Sequence, residues 1–221
     1  MSKRSKPYMS TNNYIQEICA VIDRSGSMSG KEDDTIGGIN ETFRLLRESK
    51  QPNEIIKISV KLFDHEQILK LRNVDLDEVR DLTRNDFSPR GQTALLDAMG
   101  DTLKYFMEKK LMDPGAFDSC IIYITTDGLE NCSKRYTNDY IKKMIKNAEE
   151  TYNIKVIYLG ANQDAILEAS RFGVDSSRAM TYNETPGNIQ SAYRSAASAA
   201  IRTRSLGVTE FTQAERTSSQ L

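Results

Sequence analysis

The segment Val21-Ile22-Asp23-Arg24-Ser25-Gly26-Ser27-Met28-Ser29 joins an apolar run to a loop that is rich in side-chain oxygen atoms. The run from Ile18 to Ile22 is short and continuous, as in a strand that is buried on both faces of a parallel sheet. Asp23, Ser25 and Ser27 then place a carboxylate or hydroxyl group at every second position. Such oxygen ligands suit Mg²⁺, Mn²⁺ or Ca²⁺, and the glycine between the two serines allows the tight turn that would bring them together. By itself, the loop is equally typical of an ordinary turn at the end of a strand.

Strands and helices alternate along the rest of the chain. Alternating apolar residues predict a strand over 55–63, and a short run over 67–71 returns beside it as a hairpin. A second buried strand is predicted over 118–126, with shorter strands over 154–159 and 179–182. Apolar residues at spacings of three and four predict helices at 36–49, 95–107, 138–145, 164–172 and from Pro186 onward. The alternation predicts an α/β fold, a doubly wound (Rossmann-like) mostly parallel sheet of about six strands with one antiparallel edge strand and helices on both faces.

The composition limits the partners and the compartment. The 30 Lys and Arg residues balance 31 Asp and Glu residues, so the formal net charge of -1 gives no overall attraction to nucleic acid or to an anionic membrane. Three cysteines, Cys19, Cys120 and Cys132, form an odd and widely spaced set. This pattern favours a reduced, cytoplasmic setting.

The polarity of the chain divides it into three predicted segments. Residues 1–13 are polar and contain no apolar run, so they are predicted to be a flexible arm, neither a signal peptide nor a membrane anchor. Residues 14–205 carry the alternating strands and helices and are predicted to form a single domain. Residues 206–221 are rich in Ser and Thr and are predicted to form a polar, loosely attached tail.

Two of the predicted strands end in an aspartate, Asp23 and Asp127. Doubly wound sheets bind ligands at the carboxyl ends of the strands, near the point where the strand order reverses. If these two strands are neighbours, the Asp23 loop faces Asp127. The loop Gly91-Gln92-Thr93, just before a strong helix signal, is the nearest connection able to add a further oxygen, that of Thr93.

Five positions of the sequence match one known motif in its own order. They are found in Asp23-Arg24-Ser25-Gly26-Ser27, in Thr93 within Gly91-Gln92-Thr93-Ala94-Leu95-Leu96-Asp97-Ala98, and in Asp127 within Ile124-Thr125-Thr126-Asp127-Gly128. Together they resemble the von Willebrand factor type A (vWA) domain and its metal-ion-dependent adhesion site (MIDAS), and the resemblance covers residues 14–205. The sequence is also similar to stand-alone vWA proteins of bacteria and phages. The resemblance implies that Asp23, Ser25, Ser27 and Thr93 approach Mg²⁺, with Mn²⁺ or Ca²⁺ as alternatives, directly or through water, and that Asp127 acts mainly through water.

Other site chemistries fit the sequence less well. The segment Gly26 to Lys31 looks like a phosphate-binding loop, but only three residues separate its glycines where four are needed, and Glu32 replaces the required Ser or Thr. The single histidine, His65, is interpreted as a hairpin-turn residue, because no carboxylate pair with acid–base spacing accompanies it. The cysteines lack the spacing of zinc ligands. We therefore expect that the protein is not an enzyme.

The expected function is that of a divalent-cation-dependent protein–protein binding module. Because the motif has only two carboxylates, a bound Mg²⁺ would stay electron-poor and keep a coordination position for a Glu or Asp of the partner. Two alternatives remain, a structural component of a larger assembly or phage particle with a secondary metal site, and a metal-dependent phosphoesterase. The second lacks a further metal site and a positioned general base in the sequence. The rim that selects the partner is predicted to be built from the loops of Arg24, Met28, Arg90, Gln92 and Leu129.

Overall fold

Residues 13–161 and 164–220 are described by the structure, which is a computed structural model. Within these residues, six strands form one sheet: β1 (Tyr14–Asp23), β2 (Glu54–Phe63), β3 (Gln67–Asp75), β4 (Ser119–Thr126), β5 (Ile154–Ala161) and β6 (Ala179–Tyr182). The same residues form six α-helices: α1 (Glu32–Ser49), α2 (Leu95–Met112), α3 (Asn138–Tyr152), α4 (Ala165–Phe172), α5 (Pro186–Leu206) and α6 (Gln213–Ser218). The predicted flexible arm lies outside the described residues except for Asn13.

The sheet has the strand order β3-β2-β1-β4-β5-β6. All neighbouring pairs are parallel except β2 and β3, which run antiparallel and place β3 at one edge. The predicted fold class is therefore confirmed as a mostly parallel, doubly wound sheet with one antiparallel edge strand.

The strand order reverses at β1. The chain moves outward from β1 to β2 and β3, and then returns to place β4 on the other side of β1. The carboxyl ends of β1 and β4 consequently lie side by side, with Ile22 paired to Thr125 in the register of the two strands. This reversal is the position at which doubly wound folds bind their ligands.

Helices cover both faces of the sheet because the side chains of a strand alternate between its two faces. Ile22 of β1 lies in the apolar core that α1 and α5 cover, whereas Val21 lies in the core that α2 and α3 cover. The helices α1 and α5 approach each other closely at Gly38, where an added Cβ atom would lie 2.2 Å from Cδ2 of Tyr193. The sheet is thus packed between helices on both sides, below the loops that follow β1 and β4.

The C-terminal segment is folded onto the domain, so the prediction of a loosely attached tail over 206–221 was wrong for its described residues. The backbone N–H of Phe211 donates to the carbonyl oxygen of Ser177 at 2.9 Å, and the N–H of Asn183 donates to that of Ser219 at 3.1 Å. Ser219 is completely buried. The polar composition was misleading because hydrogen bonds to backbone carbonyl groups leave no apolar pattern in the sequence.

Candidate metal site

Asp23 ends β1 and is completely buried. Its Oδ1 atom accepts a hydrogen bond of 2.7 Å from the backbone N–H of Ser25. Its Oδ2 atom accepts a hydrogen bond of 2.6 Å from the hydroxyl group of Thr126, the last residue of the neighbouring strand β4. Burial raises the pKa of the Asp23 carboxyl group to about 6, although both hydrogen bonds favour its charged form. A positive charge close to this carboxylate would be strongly attracted.

The two serines continue this series of contacts toward β4. Ser25 directly precedes the single 3₁₀ turn Gly26–Met28, and Ser27 lies within that turn. The hydroxyl oxygens of Ser25 and Ser27 lie 3.0 Å apart, and the Ser27 hydroxyl donates a hydrogen bond of 2.6 Å to Oδ1 of Asp127. Contacts therefore connect Asp23 to Asp127 across the carboxyl ends of β1 and β4.

Thr93 borders the same cluster. A Cβ atom added to Gly128 would lie 3.4 Å from the hydroxyl oxygen of Thr93 and 3.6 Å from that of Ser27. The backbone of Thr93 is held by Asn131, whose Oδ1 accepts from the Thr93 N–H at 2.9 Å and whose N–H donates to the Thr93 carbonyl at 3.1 Å. The structure thus brings together all five predicted residues at the carboxyl ends of the central strands β1 and β4. That they ligate a cation stays a prediction.

The donor set of this cluster fits a hard divalent cation. It consists of two carboxylates and three hydroxyl groups, so every potential ligand atom is oxygen, as Mg²⁺, Mn²⁺ and Ca²⁺ prefer. Asp23 and Thr93 are buried, whereas Ser27 is exposed and marks the side that opens to solvent. An ion bound at the Ser27 side of the cluster would therefore be accessible to a partner.

A positively charged side chain already contacts the cluster. Lys31, just before α1, donates from Nζ to Oδ2 of Asp127 at 2.5 Å and also pairs with Glu184. The side chain of Asp127 is only 1% exposed, so its two oxygens are shared between Ser27 and Lys31. The site therefore holds a positive charge beside one of its carboxylates.

The loop after β4 also caps α2. Ala94, the residue before α2, makes no capping hydrogen bond with its side chain. Instead, Oε2 of Glu130 accepts from the N–H of Leu96 at 2.9 Å, and Oγ of Ser133 accepts from the N–H of Asp97 at 3.1 Å. These contacts provide hydrogen-bond acceptors for free N–H groups in the first turn of α2, and they hold the loop next to Thr93.

Three residues that shape the site were missed by the sequence analysis: Thr126, Lys31 and Asn131. Thr126 carried a usable signal, because a residue next to Asp127 at the end of a strand lies beside Asp23 once the two strands pair. Lys31 and Asn131 carried none, since Lys and Asn in polar loops are mostly solvated. Their partners are 96 and 38 residues away in the chain.

Arg24 is buried, with 5% of the residue exposed, so its predicted place on the exposed rim was wrong. Its guanidinium group pairs at 2.9 Å with the buried carboxylate of Asp64, which also pairs with Arg90 at 3.1 Å. Met28 is buried as well. The other residues of the predicted rim are exposed: Arg90, Gln92 and Leu129.

A second group of side chains in the described part of the chain has potential ligand atoms close together. Asp64, His65 and Glu66 each offer one such atom, and these atoms lie within 4.8 Å of one another. The three residues form the turn between β2 and β3. Both carboxylates pair with Arg90, so a cation at this turn would compete with a guanidinium group. We therefore place the candidate site at the cluster of Asp23.

The strand order and the loops at its reversal define the class of the fold, which is that of the vWA domain. No protein-family model matches the sequence, and no curated protein matches it either. The pilus adhesin SpaC of Lactobacillus rhamnosus GG has a similar structure, with a TM-score of 0.63 and 13% identity over 87% of this chain and 30% of that chain. The vWF domain of the type V pili tip protein Mfa5 of Porphyromonas gingivalis has a TM-score of 0.60 and 12% identity, covering 90% and 98% of the two chains.

A third similar structure is proximal thread matrix protein 1 from the mussel byssus, with a zinc-occupied MIDAS motif. Its TM-score is 0.60 at 15% identity, and the alignment covers 82% of this chain and 47% of that chain. The present chain thus spans about half the length of the mussel protein. At such low identities the similarity shows the fold alone.

Proposed function

We propose that this protein is a binding module, not an enzyme, that recognises an acidic residue of a partner protein through a divalent cation. The observation that carries the proposal is the series of contacts from Asp23 through Ser25 and Ser27 to Asp127, with Thr93 beside it. These five residues are the proposed ligands, with Asp127 acting through water and with Mg²⁺ as the preferred ion.

The chain's own groups favour binding of an outside carboxylate. Both oxygens of Asp23 are engaged by Ser25 and Thr126, and Asp127 shares its charge with Lys31. The hydroxyl donors are neutral, so the cluster cannot fully compensate two positive charges. A cation held there supplies an electron-poor centre that attracts a Glu or Asp side chain.

The surface around the cluster suits a compact protein contact. Leu129 is 57% exposed, and Arg90 and Gln92 are exposed as well. A small interface is expected to combine an apolar contact and a polar rim around one charged anchor. Support also comes from the similar structures, since one is a pilus adhesin, one is a pilus tip protein and one has a zinc-occupied MIDAS.

A cytoplasmic location is part of this proposal. All three cysteines are free thiols, and Cys19 and Cys120 are buried, which is consistent with a reducing compartment. In the residues that the structure describes, no helix combines the length and the apolar character needed to span a membrane.

Selection of displayed random peptides tests the proposal, because it does not require the partner to be identified first. The immobilised protein is incubated with the library in MgCl₂, and bound peptides are released with EDTA. We expect the released peptides to share an Asp or Glu, and to bind neither Asp23→Ala nor Thr93→Ala protein. Peptides that bind equally in EDTA, or that lack a common carboxylate, would contradict the proposal and favour a structural component with a secondary metal site.

A further inference from the structure

Lys31 connects the candidate metal site to the loop before α5. It follows Gly30, whose positive φ of 88° turns the chain, and it directly precedes α1. Its ammonium group donates to Oδ2 of Asp127 at 2.5 Å and pairs on its other side with Glu184. The Lys31 side chain is 20% exposed and that of Asp127 is 1% exposed. The ion pair is thus largely shielded from solvent.

This contact places two positive charges in competition for one carboxylate. A cation that uses Asp127, directly or through water, must either displace the ammonium group or lie near it. Repulsion between a divalent ion and an ammonium group is weakened little by solvent here, because the pair is mostly buried. The same contact compensates Asp127 when no ion is bound, and a buried carboxylate without a partner is unfavourable.

We propose that Lys31 is an internal competitor of the divalent cation. It neutralises Asp127 in the metal-free protein and lowers the intrinsic affinity of the site for the ion. A partner carboxylate adds a ligand and a negative charge, so the ion and the acidic partner bind cooperatively, each increasing the affinity for the other. This inference rests on the proposed metal site and assigns to that site a dependence on its partner.

Glu184 sets the strength of the competition. Its carboxylate draws the ammonium group toward the loop before α5 and shares the Lys31 charge with Asp127. Without the charge of Glu184, the ammonium group of Lys31 should pair more strongly with the carboxylate of Asp127. Lys31→Met and Glu184→Gln are therefore expected to change the affinity for the cation in opposite directions, which a general effect on folding would not do.

Isothermal titration calorimetry tests this proposal by measuring the affinity of the metal-free protein for MgCl₂ and, separately, for MnCl₂. We expect Lys31→Met to bind either ion at least about tenfold more tightly than the wild type, and Glu184→Gln to bind more weakly. Lys31→Arg, which keeps the charge, should stay close to the wild type. Lys146→Met removes the same charge from an exposed position on α3, where the lysine lies 3.9 Å from Glu150, and serves as the matched control.

Thermal unfolding separates competition from a purely structural ion pair. If Lys31 competes with the ion, Lys31→Met is less stable than the wild type without metal and gains more stability from added MgCl₂. Wild-type and Lys31→Met proteins that bind Mg²⁺ equally would overturn the role of Lys31 but leave the metal site intact. Absence of binding by both would instead overturn the metal site itself, and with it the proposed function.

Discussion

The hydroxyl group of Thr126 donates a hydrogen bond of 2.6 Å to Oδ2 of Asp23 and joins the carboxyl ends of the two central strands. The hydroxyl oxygen of Thr126 also accepts a hydrogen bond of 3.2 Å from the N–H of Gly128. Thr126 therefore holds both the Asp23 carboxylate and the turn after β4. Asp23 and Thr126 are completely buried, which means that water cannot replace this hydrogen bond.

Replacing Thr126 with Val should therefore damage both stability and the site. Val keeps the shape of Thr but leaves Asp23 and the Gly128 N–H without this partner, so we expect a loss of about 1–3 kcal/mol in the free energy of unfolding. Mg²⁺ affinity should fall as well, because the carboxylate is no longer oriented. Urea unfolding and calorimetric titration measure the two effects. Thr126→Ser restores the hydroxyl group and should recover both, and a Val variant with wild-type affinity would contradict this role of Thr126.

Added MgCl₂ should raise the melting temperature of the wild type and leave that of Asp23→Ala unchanged. At a hundred times Kd, binding to the folded state adds about 2.7 kcal/mol, on the order of 5–10 °C for a chain of this size. Differential scanning fluorimetry over a MgCl₂ series measures the shift. Asp23→Asn, which keeps the size of the side chain, serves as a second variant if Asp23→Ala folds poorly. Equal Mg²⁺ affinity in the wild type and in both variants would exclude Asp23 as a ligand.

Two adjacent glycines of α1 should respond to alanine in opposite ways. An added Cβ atom at Gly38 would lie 2.2 Å from the Tyr193 ring, so Gly38→Ala must separate α1 from α5 and is expected to destabilise the protein by about 1–3 kcal/mol. A Cβ atom at Gly37 has no atom within 4 Å, so Gly37→Ala should stabilise by about 0.5–1 kcal/mol through helix propensity. Chemical unfolding of the pair measures this difference, and equal effects would mean that α1 and α5 pack differently.

The pH dependence of stability should include a contribution from Glu41. The hydrogen bonds from Arg44 on α1, at 2.7 Å each, and from Arg194 on α5, at 3.1 Å, lower the pKa of Glu41 to about 2 from 4.5. A carboxyl group with a lowered pKa in the folded state stabilises the protein above its unfolded pKa, and this stabilisation is lost as the pH falls through the folded value. The free energy of unfolding should therefore decline between pH 4.5 and 2 more steeply in the wild type than in Glu41→Gln.

Urea unfolding at several pH values measures both slopes. The difference between the two proteins should shrink as the pH falls to 2, where Glu41 is half protonated in the folded state, and disappear below it. Glu150→Gln is the matched control, since it removes an exposed carboxylate whose ion pair with Lys146 is longer, at 3.9 Å. Parallel curves for the wild type and Glu41→Gln would show that this contact between α1 and α5 contributes nothing.

Local patterns in the sequence predicted the six strands, most of the helices and the kind of fold. Strands β1 and β4 were predictable because apolar side chains must leave water and because a strand covered on both faces needs a continuous apolar run. The same local pattern marked Asp23 and Asp127 as residues at strand ends. The motif that includes Thr93 added a third position, although its separate parts are each typical of ordinary turns and helix caps.

Which polar groups meet could be seen only once the chain was folded. Lys31 contacts Asp127, Arg24 is buried against Asp64, and the C-terminal segment pairs with the residue after β6, although each of these residues is polar and would be expected in solvent. Burial of apolar groups is non-directional and leaves a periodic pattern in the sequence, whereas a hydrogen bond or ion pair depends on the position of one partner, often about 40 to 100 residues away. That difference is why the strands and the cluster at their ends were predictable, and why Lys31 and Asn131, which help to hold the cluster, were not.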